Sequence, residues 1–300
     1  MDVKILNYFL AVAREESITR AAEQLHMAQP PLSRQLKALE DELGKQLLVR
    51  GSRKVTLTEE GMILRRRAEE IVALVEKARS EVVLSGDDTS GDVYIGGGET
   101  QGMRLIANTV KGLRDNYPGI RIHLFSGNAE DVSDRLEKGL LDFGLFVEPA
   151  DMGRYDFVRL PSTDRWGVLM RKDSVLSQRV VITPKDLVGL PVICSAQGMV
   201  DNEISGWMGG DYEQLNIVAR YNLLFNASLL VEEGVGFALC LDGIVKTPED
   251  GPLCFRPLEP ALDVHMMIAW KKYRVFTKAA QKFIERLYEQ DGMVAASFVQ

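Results

Sequence analysis

Apolar side chains recur at helical spacing along residues 4–13, where Leu6, Phe9, Leu10 and Ala13 predict a first amphipathic helix. Ala21, Ala22 and Leu25 predict a short second helix, with Ser17 or Thr19 placed to accept amide hydrogens of its first turn. Pro30 and Pro31 suit the first turn of a third helix, where a missing N–H removes no hydrogen bond. Leu32, Leu36, Leu39 and Leu43 form its inner face, and it stops at Gly44. Residues 46–57, with Gly51 and Ser52 between Arg50 and Arg53, predict a short β-hairpin. Thr58 then caps a long helix whose first turn carries Glu59 and Glu60 at the positive end of the helix dipole. Along it Leu64, Ala68, Ile71, Val75, Ala78 and Val82 recur at steps of four and three, a heptad seam. Such a stripe packs either on a partner helix or on its own domain.

The long helix ends at Ser85 and Gly86, and residues 87–91 form a polar linker. Beyond it, apolar runs at 93–96, 120–125 and 143–147 alternate with helical spacing at 105–113 and 132–141. A second set of runs follows at 166–170, 192–194, 237–241 and 264–270, and a helix near 277–289 closes the chain. Strands alternating with helices predict parallel sheets with helices on their faces. No short-period repeat or low-complexity tract interrupts this order.

Three hundred residues exceed what one core usually organises and point to two domains. With 46% hydrophobic and 26% charged residues, the composition is that of a soluble globular protein. Residues 1–8 lack the features of a secretion signal, and no apolar run reaches the roughly 18 residues that span a bilayer. A cytoplasmic protein without a membrane partner is expected. Cys194, Cys240 and Cys254, like His26, His123 and His265, are scattered without metal-ligand spacing, so no metal and no cofactor is expected. Buried structural thiols or a thiol sensor are the two readings of Cys194 and Cys240. No nucleophile elbow, zinc-binding helix motif or phosphate loop occurs, which leaves an enzyme without a positive argument.

The net charge of −7 argues against a polyanionic partner only when taken for the whole chain. Residues 1–86 hold 14 Lys and Arg against 13 Asp and Glu, a net of +1, which leaves −8 for the rest. Only the N-terminal part tolerates DNA. Gln29, Ser33, Arg34 and Lys37 lie off the leucine stripe near the start of the third helix, where Arg and Gln can read guanine and adenine edges. An ordinary solvated face is the alternative. Lys45, Arg50, Arg53 and Lys54 fall in an interval, 44–58, that contains no acid, and suit phosphate contacts. Arg65, Arg66 and Arg67 either approach flanking phosphates or form a solvated helix surface.

The ungapped run from Ser17 to Arg50, continued by Arg53 to Gly61, resembles the signature of LysR-type transcriptional regulators. The resemblance implies an α/β chain made of an N-terminal winged helix-turn-helix, a long linker helix and a two-subdomain, periplasmic-binding-protein-like effector domain. The corresponding boundaries are 1–58 for the DNA-binding domain, 59–90 for the linker helix and hinge, and 91–300 for the effector domain. Its first subdomain takes residues 91–161 and 265–300, its second 162–264. Carried over, the resemblance implies DNA contacts from Gln29, Pro30, Ser33, Arg34 and Lys37 and wing contacts from Arg50 and Arg53, to which the charge reading adds Lys54. Ala28 departs from the pattern, where a serine often caps the recognition helix; Pro30 and Pro31 can hold that turn instead. The resemblance also implies a homodimer through the linker helices, assembling further to a tetramer. Its partners are a pseudo-palindromic double-stranded DNA operator, a small-molecule effector and RNA polymerase.

Such a fold binds its effector between the subdomains, at strand ends and helix N-termini. Gly96, Gly97 and Gly98 end the first strand, and Thr100 and Gln101 open the next helix, so amides and a hydroxyl are expected to face the cleft. A dinucleotide loop beginning at Gly96 needs glycine at 101 and meets Gln101. The resemblance adds Asn128, Val147, Gln197 and Asn226 as effector contacts, each with a loop or capping role as its alternative. Glu99 beside Thr100 suggests an effector that is neutral or carries a cation.

Overall fold

The computed structural model describes residues 1–51, 54–83 and 89–290. The chain divides into two compact units, Met1–Val83 and Leu84–Gln300. The long helix therefore belongs to the first unit.

In the first unit, helix α1 (Val3–Glu15) is capped by Asp2, whose carboxylate accepts from Ile5 N–H at 2.8 Å, and it ends in the left-handed residue Glu16. Of the two candidate caps, Ser17 starts α2 (Ile18–Gln24), accepting from Arg20 N–H at 3.3 Å. His26, at φ 53°, turns the chain into α3 (Gln29–Leu43). Ala28 makes no side-chain cap to α3. A cap normally accepts from the second or third amide, and Pro30 and Pro31 have no N–H there to satisfy. Gly44, at φ 63°, ends α3, and Lys45 N–H donates back to Glu40 C=O at 3.1 Å.

Phe9, Val12, Ala21, Leu32, Leu36 and Leu39 close the core between these helices. Leu43, in the last turn of α3, does not join them: it is 41% exposed. Strands β1 (Leu48–Arg50) and β2 (Val55–Leu57) form the expected antiparallel hairpin, with Leu48 opposite Leu57. The Glu40 carboxylate accepts from Leu47 and Leu48 N–H at 2.8 and 3.0 Å and fixes the hairpin to α3. Thr58 accepts from Gly61 N–H at 3.0 Å at the start of α4 (Glu59–Val83) and donates to Gln46 C=O at 2.7 Å.

The second unit opens with β3 (Gly91–Gly97), α5 (Met103–Asn116), β4 (Ile120–Ser126), α6 (Ala129–Glu137) and β5 (Phe143–Val147). The 17-residue strand β6 (Tyr155–Arg171) then runs from a first lobe into a second. There follow α7 (Pro184–Leu187), β7 (Pro191–Ser195), α8 (Gly198–Met208), a 3-10 turn (Gly209–Gln214), β8 (Asn216–Tyr221), α9 (Leu224–Glu232), β9 (Phe237–Leu241) and β10 (Leu253–Pro257). Strand β11 (Asp263–Lys271) returns to the first lobe, where α10 (Lys278–Gln290) closes the fold. Strand order is β4-β3-β5-β11-β6-β9-β7-β8, with β10 also on β6.

The sheets are not wholly parallel. Strand β3 runs parallel to β4 and β5, and β7 to β8 and β9. The crossing strands β6 and β11 pair antiparallel because each enters a lobe as the other leaves it. Each lobe has clusters on both faces of its sheet: Val93, Ile106, Phe143 and Phe283 against Val132, Leu136 and Phe146 in the first, Val168, Val192 and Leu239 against Leu169, Ile193 and Ala238 in the second. No helix among the described residues is long and apolar enough to cross a membrane.

Gly61, in the first turn of α4, lies close against the residue before β1: a Cβ there would lie 2.2 Å from Leu47 C=O. Gly61→Ala should lower the unfolding free energy by about 1–3 kcal/mol through overpacking against backbone that cannot yield. Gly206→Ala, inside α8 with open space around it, should instead raise stability by roughly 0.5–1 kcal/mol. Chemical denaturation of the two variants checks both signs.

Candidate DNA-reading surface and effector cleft

Burial of Leu32, Leu36 and Leu39 leaves the opposite face of α3 in solvent. Gln29, Pro30, Arg34 and Lys37 are exposed and Ser33 is half-buried. Arg50, at the end of β1, donates to Ser33 Oγ at 3.1 Å, so hairpin and helix share one polar surface. An open groove beside it is lined by Lys37, Glu40, Lys45 and Arg50. Arg53 lies outside the described residues.

The acid-free interval of the sequence is not acid-free in space. Lys54 pairs with Glu16 at 3.2 Å, and Lys45 with Glu60 at 3.2 Å. Both carboxylates come from neighbouring helices, which a count along the hairpin misses. Exposed pairs of this kind are worth about 0–1 kcal/mol and exchange readily for phosphate. Arg65 and Arg67 are likewise paired, with Glu69 at 3.0 Å and Glu70 at 2.9 Å.

The heptad seam divides into two parts. Leu64 packs against the winged-helix core and Ala68 is fully buried, so these two are used within the chain. Val75 is half-buried. Ile71, Ala78 and Val82 are exposed, and Leu74, outside the seam, joins them at 44% exposure.

In the second unit a cleft of about 140 Å³ separates the lobes. Three of the expected effector residues, Asn128, Val147 and Gln197, line it. Asn128 caps α6 in a reciprocal box with Asp131, and Gln197 reaches across to accept from Ala129 N–H at 3.2 Å. Apolar walls come from Leu145, Trp166, Leu241 and Ile244, and further polar groups from Ser195, Tyr221 and Asn222. Sequence reasoning missed Trp166 because it opens a run that reads simply as a core strand, and Tyr221 because it ends a strand, β8, that the pattern did not predict.

The other three expected residues are placed elsewhere. Thr100 is buried and donates to the Asp164 carboxylate, which also accepts from Gln101 N–H at 3.1 Å. The amide and hydroxyl expected to face a ligand are thus spent on a carboxylate of β6. The Gln101 side chain donates to Gly243 C=O rather than lining the cleft. Asn226 is exposed on α9, and Asn222, before that helix, lines the cleft instead. Glu99 does line it, and accepts from Leu224 N–H at the first position of α9.

All three cysteines are buried thiols, and burial pushes the Cys240 thiol up to about 12. No cluster of potential metal ligands occurs among the described residues. Burial also raises the Asp164 carboxyl above its ordinary 3.8; the Thr100 hydroxyl and Gln101 amide oppose this, and Asp242 adds to it.

Residues 86–292 match the LysR substrate binding domain, and residues 3–62 match the bacterial regulatory helix-turn-helix protein, lysR family. The Hca operon transcriptional activator HcaR of Escherichia coli (strain K12) is 29% identical over 302 residues, covering 99% of this chain and 100% of that protein. The HTH-type transcriptional regulator BsdA of Bacillus subtilis (strain 168) is 38% identical over 143 residues, 47% of this chain and 49% of that one. Full-length CbnR, solved in complex with its target DNA, shares the fold with a TM-score of 0.75 at 18% identity, covering 96% of this chain and 99% of that one. The chain belongs to the LysR family. It is a DNA-binding transcriptional regulator with a helix-turn-helix domain and an effector-binding domain.

Asp164 should leave a pH signature in stability. Its folded-state pKa is raised, so the stability it allows is complete below 3.8 and is lost as pH climbs through the raised value. Asp164→Asn keeps an acceptor for Thr100 and Gln101 without the charge. Urea unfolding across that window should show the variant gaining on the parent as pH rises; a difference independent of pH would contradict the assignment.

Proposed function

We propose that a homodimer of this chain, joined through α4, reads a pseudo-palindromic operator with two copies of α3 and changes its regulatory state when a small molecule enters the cleft. The observation that carries this reading is the uncapped, exposed start of α3, where Gln29, Arg34 and Lys37 stand free of the core and Arg50 is tied to Ser33. Arg34 and Gln29 contact base edges, while Lys37, Arg50 and Arg53 hold phosphates. The exposed stripe Ile71, Leu74, Ala78 and Val82 meets its symmetry mate, and the two-fold axis imposes operator symmetry. The dimer pairs further into a tetramer and meets RNA polymerase at the promoter.

The protein works in the cytoplasm and catalyses no reaction. Sensing through Cys240 is disfavoured, since its buried thiol, raised to about 12, supplies almost no thiolate, and Cys194 is buried as well.

Anisotropy titration of the chain's own upstream DNA tests the reading. Affinity should fall by about 10³–10⁵ between about 50 and 200 mM salt if about 6–10 phosphates are neutralised. Arg34→Ala should cost about 1–3 kcal/mol at the base it reads and relax specificity there. Arg50→Ala should weaken all sequences alike, and Lys54→Ala less so, because Glu16 already occupies that cation. Unchanged sequence preference in Arg34→Ala would refute this assignment of the reading face. For the dimer, Ile71→Asp combined with Leu74→Asp should shift sedimentation toward monomer, and an unaltered association state would place the interface elsewhere.

A further inference from the structure

Glu99, Glu130 and Glu148 line the cleft, and among the described residues no lysine, arginine or histidine does. Arg159 pairs with Glu148, whereas neither Glu99 nor Glu130 meets a cationic side chain among the described residues. The space they border is therefore electronegative.

Helix N-termini ordinarily supply the amides that hold an anion. At two helices bordering the cleft, amides already have acceptors: Glu99 takes Leu224 N–H at the start of α9, and at α6 Asn128 and Asp131 cap each other while Ala129 N–H bonds Gln197. A carboxylate ligand at either would have to displace a bonded group while approaching like charge.

The rest of the lining favours a different guest. Phe146, Trp166 and Tyr221 are among the lining residues, and aromatic rings attract an ammonium group. Trp166 is 4% exposed, and its indole N–H has no hydrogen-bond partner. A buried donor left in this state is relieved by a ligand oxygen. The cleft, about 140 Å³, is close to the roughly 150 Å³ that takes one benzene ring.

Resting on the effector reading above, we propose that this cleft takes a small organic cation: an ammonium held by Glu99 and Glu130 on an apolar body of about one ring that carries an acceptor oxygen. Glu99 belongs to the first lobe and bonds the second through Leu224, so a cation at its carboxylate sits where the two lobes meet.

Calorimetric titration of the full chain with 2-phenoxyethylamine, 2-phenoxyethanol and phenoxyacetate separates charge from shape, since all three share the ring and ether oxygen. The amine should bind tightest and the carboxylate weakest. Glu99→Gln should weaken the amine about ten- to hundredfold and leave the alcohol nearly unchanged, as loss of one charge-assisted bond requires. Because Glu99 also caps α9, Glu130→Gln provides a second variant with the same expected direction and no capping role. Phenoxyacetate binding tightest would overturn the cation while leaving the effector cleft in place. Amine affinity unaltered in both variants would overturn it as well. Absence of binding by all three, in a chain that still binds its DNA, would overturn both the cation and the effector reading of the cleft.

Discussion

The first amides of a helix have no carbonyl partner within the helix, and where they are spent decides what each surface of this protein can hold. At α3 two of them do not exist, because Pro30 and Pro31 follow the first helical residue. The helix starts without a capping side chain, and Gln29 remains exposed beside Arg34. At α9 the first amide, Leu224 N–H, is met by Glu99, and in the turn before α5 Asp164 accepts from Gln101 N–H. One physical requirement is thus met by prolines at the exposed start of α3 and by a carboxylate at the start of α9.

Charge follows a similar division. The hairpin cations Lys45 and Lys54 rest on Glu60 and Glu16, weak exposed pairs that phosphates can replace, while Arg50 is held by the neutral Ser33. Around the cleft the carboxylates Glu99 and Glu130 meet no cationic side chain among the described residues.

Two strands, β6 and β11, join the lobes of the effector domain, and each lobe has packed clusters on both faces of its sheet. The lobes are thereby stiff and the link between them narrow. Bonds across the cleft, from Gln197 to Ala129 and from Glu99 to Leu224, are few and polar, so a ligand that touches both lobes acts on the weakest part of the domain.

Helical periodicity and turn chemistry were enough to specify the three packed helices, the hairpin, α4 and the closing helix α10, since spacing, capping residues and Gly44 act over a few neighbours. The segment holding α8, β8 and α9 was not legible: β8 is a half-exposed edge strand, and α9 leaves Phe225, Leu229 and Leu230 in solvent, blurring its period. By itself the sequence determined the winged helix-turn-helix, the exposed polar face of α3 and the alternating α/β order behind it. Only the tertiary structure decided that Leu43 is exposed, that Leu64 and Ala68 are used internally, that Thr100 serves Asp164, and that Asn222 rather than Asn226 reaches the cleft. The reason is that periodicity records which face a residue occupies, whereas its partner there is supplied by a segment distant in the chain.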